Sequence, residues 1–144
     1  TGHKDFKLSD AEVAILRRYL LNGGFLCADS CCGRETFDAA VRRELKRALP
    51  EYSLTSLPAD HPIYRQPATI SSVQYTPAAH MKTGKSATTP ALEGITIDGH
   101  LAVVYSPHDL GCGWELKPHP YGVGYEARSA ISLGINIVLY SMTH

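Results

Sequence analysis

Between Ser9 and Ala48 the chain spells out a helix, a strand, a tight turn and a second helix with hardly a residue to spare, and that order constrains it more than any other feature. Ser9-Asp10-Ala11-Glu12 is a capping box, in which the serine hydroxyl accepts from a first-turn amide while the glutamate reaches back to the cap. A helix is expected to start there. Val13, Ile15, Leu16, Tyr19 and Leu20 recur at helical spacing, Arg17 and Arg18 take the other face, and Asn22-Gly23-Gly24 supplies the left-handed residue that ends helices. Phe25-Leu26-Cys27-Ala28 then reads as a central strand buried on both faces of a parallel sheet, with Cys27 an inert interior thiol. The strand stops at Asp29-Ser30-Cys31-Cys32-Gly33. A second helix follows, with Phe37, Val41, Leu45 and Ala48 on one side and Arg42, Arg43, Lys46 and Arg47 on the other, closed by Pro50. Units of this kind build doubly wound α/β domains.

A chain of 144 residues, 44% hydrophobic, suits a single domain over 1–144 with one core. Its 14 Lys and Arg balance 14 Asp and Glu, so there is no basic footprint for nucleic acid or anionic lipid. No apolar run approaches the roughly 20 residues of a membrane span, and no charged-then-apolar leader opens the chain. Tyr52 to Leu57 is a candidate strand, and residues 58 to 93, rich in Pro, Ser, Thr and Ala, read as a long loop. Two alternating apolar runs about Asp98-Gly99 predict a hairpin with Leu101 to Tyr105 as the inner strand. Tyr125 to Met142 reads as a last helix with Ala127, Ala130, Ile131, Gly134, Ile135 and Val138 facing in, although the β-rich "GINIVLY" also suits a terminal strand.

The capped helix together with "YLLNGGFLCADSCCG", "DHPIY", "AVVYSPHDLGCGWE" and "LGINIVLY" resembles the bacterial domain of unknown function family 4159, grouped with the class I glutamine amidotransferase-like folds. The resemblance runs over nearly the whole chain. It implies a flavodoxin-like parallel sheet with helices on both faces, of which this chain is the C-terminal two-thirds, with further strands ahead of Thr1-Gly2-His3 in relatives. The resulting open sheet edge would be covered by upstream polypeptide or another subunit. A bacterial source leaves the compartment open, cell envelope and periplasm included. In the amidotransferases a comparable strand-to-helix turn holds the nucleophilic cysteine. Here the turn is Ser30-Cys31-Cys32-Gly33 without G-x-C-x-G, and no His-x-Glu lies near the C-terminus, so the glutaminase triad is incomplete.

Ligands of open parallel sheets sit beyond the carboxyl ends of the strands. With Thr1-Gly2-His3 ending a strand, as the resemblance implies, His3 joins Asp29, Ser30, Cys31 and Cys32 from the next strand and Ser106, His108 and Asp109 from the hairpin. Three segments thus deliver ionisable side chains to one rim. Cys31 and Cys32 precede a helix start, which favours thiolate and makes them candidate nucleophiles with His3 or His61 as base. Cys31, Cys32, Cys112 and His3 or His61 also form a candidate zinc set, although adjacent cysteines lack the usual C-x₂-C spacing. Asp60, Trp114 and Glu115 are further binding candidates. Thr83-Gly84-Lys85-Ser86 lacks the preceding glycine and strand of a phosphate loop.

Two functions follow from this pattern. The first is a non-catalytic module that binds an unknown small molecule or a protein; the second is a thiol-dependent hydrolase. No cofactor is required by either, and zinc is the one metal the residues suggest.

Overall fold

The capping box forms in full: Glu12 N donates to Ser9 Oγ at 3.3 Å and Ser9 N donates to the Glu12 carboxylate at 2.7 Å, starting helix α1 at Asp10–Leu21. Gly23, at φ +85°, turns the chain out of the helix. Strand β1 (Leu26–Asp29), a 3₁₀ turn (Cys31–Gly33) and helix α2 (Glu35–Ala48) complete the unit. The computed structural model, which describes residues 1–83, 87–116 and 121–143, continues through β2 (Thr55–Ser56), a 3₁₀ turn (Pro62–Tyr64) and α3 (Pro77–Thr83). It ends with β3 (Glu93–Ile97), β4 (His100–Ser106), the short α4 (Gly111–Trp114) and α5 (Ala127–Thr143). Residues 84–86 of the rejected phosphate-loop candidate lie outside the described residues.

The strands form an open mixed sheet in the order β1-β4-β3-β2, in which β1 and β4 are parallel and the other pairings antiparallel. The hairpin turns at Asp98 and Gly99, both at positive φ as a two-residue turn of this hand demands. On β4 the register jumps between Ile95↔Val103 and Thr96↔Leu101, so Ala102 is an extra residue. That bulge puts Ala102 and Val103 on one side of the sheet, in the core layer with Leu20, Val41, Leu45 and Tyr105 beneath α1 and α2. Leu101 and Val104 face the other layer, made by α5 and residues of the 63–92 segment. Helices therefore cover both faces.

Three expectations change. β1 stands at the end of the strand order, and among the described residues its outer side carries only the parallel Gly2↔Ser30 bridge. Cys27, on this end strand, is exposed rather than interior. The 58–93 segment is no peripheral loop: it holds α3 and sends Ile63, Tyr64, Ile70, Val73 and Tyr75 into the core. The last element is a helix, but its inward face is Ala130, Leu133, Asn136 and Ile137, while Ile135 and Val138 are exposed. Asn136 can face inward because its amide donates to Ile63 O and Ala68 O, both at 2.8 Å, and accepts from Ala68 N at 3.2 Å. No helix among the described residues is long and apolar enough to cross a membrane.

Candidate metal centre

Parallel pairing brings the ends of β1 and β4 to the same place, with Asp29 opposite Ser106 and Ser30 N donating to Ser106 O at 3.0 Å. The segments that leave those two strands carry the site. From β1 comes the Ser30–Gly33 turn; from β4 comes Pro107 to Trp114. Two buried carboxylates, Asp29 and Asp109, tie the segments together. Asp29 Oδ2 accepts from Leu110 N at 3.0 Å and Gly111 N at 3.1 Å. Asp109 reaches the other way, its Oδ2 accepting from Cys32 N at 2.5 Å and its Oδ1 from Cys112 N at 2.9 Å.

The result is a group of thiols around a carboxylate. Cys31 Sγ lies 3.9 Å from Cys112 Sγ and 4.0 Å from Cys32 Sγ, and one ligand atom each of Cys31, Cys32, Asp109 and Cys112 all fall within 4.8 Å of one another. A tetrahedral ion with metal–sulfur bonds of about 2.3 Å has sulfur–sulfur edges of about 3.8 Å. The two measured separations match that edge to within a few tenths of an ångström. Cys32 is buried and held at φ +56°, a left-handed conformation that costs a residue with a Cβ, while Cys31 and Cys112 are half-buried. Gly33, also left-handed at φ +62°, allows the close approach of Val123, whose Cβ would lie 2.6 Å from a side chain placed there.

Burial and the Asp109 carboxylate shape the electrostatics of Cys31 and Cys112. Burial, followed by the charge of Asp109 and the neighbouring Cys32, pushes the Cys31 thiol up to about 11. Burial, followed by the hydrogen bond to Asp109 and its charge, raises Cys112 still more. For Asp109 burial works toward a higher value, but the Cys112 thiol, the amides of Cys112 and Cys32 and the Cys31 thiol together bring it below its ordinary range. α2 begins only at Glu35, beyond the turn, so neither Cys31 nor Cys32 stands in its first turn. A divalent cation would displace the thiol protons and satisfy the carboxylate at once.

The histidines of the sequence-based set stay outside this group. His3 is exposed beside Gly2, and its carbonyl accepts from Thr36 Oγ1 at 3.0 Å. His61 caps the 3₁₀ turn, with Nδ1 accepting from Ile63 N at 3.2 Å and its ring 5.6 Å from that of Tyr140. Tyr140 lines a hollow with Asp98 and His100, at the hairpin end of β4 opposite the thiols. Asp60 is exposed in the adjoining turn. Ser30 Oγ donates to Arg34 O and Ser106 Oγ to His108 O, so both hydroxyls secure their own turns. His108 is buried edge-on against Tyr75 and Tyr125, and burial, with the charge of Lys82, lowers it. Trp114 is exposed in part, donates Nε1 to Ala130 O at 2.7 Å and covers Gly134, beside exposed Glu115.

A carboxylate, Asp109, thus stands in this group where the sequence reading expected a histidine. The signal was present in its spacing, since Asp109 and Cys112 stand three residues apart at the start of a helical turn, where a carboxylate oxygen meets the amide of the third residue on.

With this geometry in hand, residues 1–142 match the model of the domain of unknown function family DUF4159, and the chain belongs to that family. Among curated proteins none matches the chain.

Proposed function

We propose that this domain binds one zinc ion through Cys31, Cys32, Cys112 and Asp109, and that the ion serves as a structural centre on a non-catalytic, amidotransferase-like, flavodoxin-like scaffold. The observation that carries the reading is the pair of sulfur–sulfur separations, 3.9 and 4.0 Å, from one central thiol to two others around a buried carboxylate. Four ligands from the protein close a tetrahedron, as in structural rather than catalytic zinc sites. The ion would join the turn after β1 to the turn after β4, two segments some 80 residues apart in the chain.

A thiol hydrolase is the weaker reading of the same residues. Its oxyanion donors would be the amides at the turn, yet Cys32 N is taken by Asp109, Gly33 N by Ser30 O and Arg34 N by Cys31 O. The thiols of Cys31 and Cys112 are pushed upward by burial and by Asp109, against thiolate formation, and the group of candidate ligand atoms includes neither His3 nor His61.

The test is metal titration of chelator-stripped protein, followed by cobalt(II) substitution to read sulfur-to-metal charge transfer. One equivalent per chain should bind, with thiolate bands, and Cys31→Ser, Cys112→Ser and Asp109→Ala should each weaken binding while Cys27→Ser does not. Binding unaltered by Cys31→Ser would refute the centre.

A further inference from the structure

Zinc ligands placed on two separate segments need something to hold those segments in register before the metal arrives. We infer that Asp29, which lies outside the ligand set, is the positioning residue of this centre. The inference rests on the zinc reading above.

Asp29 is the last residue of β1, two before Cys31, and its place is fixed by its pairing with Ser106. Only 4% of its surface is accessible. Its Oδ2 accepts from the amides of Leu110 and Gly111, the two residues between Asp109 and Cys112. One oxygen therefore clamps the β4-side ligand pair to the strand that carries the β1-side pair. α4, a helix of 4 residues, does not hold its own shape and depends on such contacts from outside.

The cost of the arrangement also speaks for a role. A carboxylate buried this deeply is expensive unless its hydrogen bonds are fixed in place. A second carboxylate is near: a Cβ on Gly111 would lie 3.6 Å from Asp29 Oδ2 and 3.9 Å from Asp109 Oδ1, so both acids flank the space beside the Gly111 Cα. With both lone pairs of Oδ2 engaged by backbone amides, that oxygen serves geometry rather than coordination.

Outer-shell groups that orient metal ligands are worth about 10- to 100-fold in affinity. Asp29→Ala removes the clamp, whereas Asp29→Asn keeps an amide oxygen able to accept from both N–H groups. Zinc affinity would be measured by chelator competition, and the cobalt(II) spectrum recorded at saturation, for the whole chain and both variants. The expected result is a loss of about 10- to 100-fold with a shifted cobalt spectrum for alanine, and a loss under about tenfold with an unchanged spectrum for asparagine. The spectrum distinguishes positioning from lost stability, because a merely destabilised protein binds cobalt in the original geometry. Tight zinc binding by the parent chain with unaltered affinity in Asp29→Ala overturns the inference and leaves the centre standing. Equal losses in both variants overturn it too, since charge rather than geometry would then be at work. Absence of zinc binding by the parent chain overturns the centre itself, and the positioning role with it. Should Asp29→Ala not fold, the asparagine variant decides alone: under tenfold with an unchanged spectrum sustains positioning, a larger loss overturns it.

Discussion

Replacing Cys32 by alanine and by glycine separates the thiol from the backbone on which it sits. Both variants lose the sulfur, and only alanine keeps a Cβ at φ +56°. The left-handed region costs a residue with a Cβ about 1–2 kcal/mol. Against that, glycine gives up about 0.4–1 kcal/mol through the greater freedom of its unfolded chain. The difference leaves the glycine variant the more stable by roughly 0.5–1 kcal/mol. For a domain of this size each kcal/mol moves the melting temperature by about 4 °C, so glycine should melt about 2–4 °C above alanine. Thermal denaturation followed by circular dichroism, with chelator present so that metal contributes nothing, measures the gap. An alanine variant that melts at or above the glycine variant would show that the turn holds no strain at Cys32. The point bears on function, because strained backbone at a residue with a side chain is retained where that side chain has a task. Zinc binding should be weakened alike in both variants, which ties the strain to the sulfur it positions.

Two other perturbations probe the frame around the site. Asn136→Ala withdraws the partner of Ile63 O and of both backbone groups of Ala68; with Ala68 near water, the loss should be about 2–3 kcal/mol, read as a denaturant midpoint shifted at constant slope. A parent-like midpoint would mean that the 63–68 segment does not depend on α5. Glu44 is buried; burial works to raise its pKa, but Arg43, Arg47 and Leu8 N outweigh it and hold the carboxyl below 4.5. A depressed carboxyl stabilises the fold above its unfolded value and loses that contribution as pH falls through the folded one. Glu44→Gln should therefore be less stable than the parent by about 1 kcal/mol at neutral pH, with the gap closing below 4.5; a gap independent of pH would remove the charge from the explanation.

Much of the frame is readable in the chain because local chemistry there agrees with the final structure. Ser9 and Glu12, Gly23, and Asp98-Gly99 each fix a boundary through bonds within a few residues, so no distant partner is needed to place them. α5 fails this test. It is apolar nearly all round, so periodicity cannot choose a face, and the choice falls to Asn136, a polar residue whose partners lie 68 and 73 positions away. β1 misleads for a related reason. Its short apolar run looks like the middle of a sheet, yet the two-sided burial it suggests depends on neighbours the local sequence does not specify, and Cys27 is left exposed.

The site divides in the same way. That Asp29, the two adjacent cysteines and Asp109 meet at one end of the sheet follows from placing strand ends together, a rule about topology that needs no side-chain detail. Which of them touch is set by bonds across the fold. Cys31 and Cys112 are 81 residues apart, and they meet because the strands before them pair in parallel and each carboxylate accepts an amide from the opposite segment. A histidine is the usual fourth partner for three thiolates, which made His3 and His61 natural candidates. The fold spends His61 on a turn and leaves His3 in water, while Asp109 is brought in by the same hydrogen bonds that align the thiols. The proposed ligand set therefore follows from how the two turns are joined, and removing one of the joining carboxylates should weaken zinc binding before it disturbs the fold.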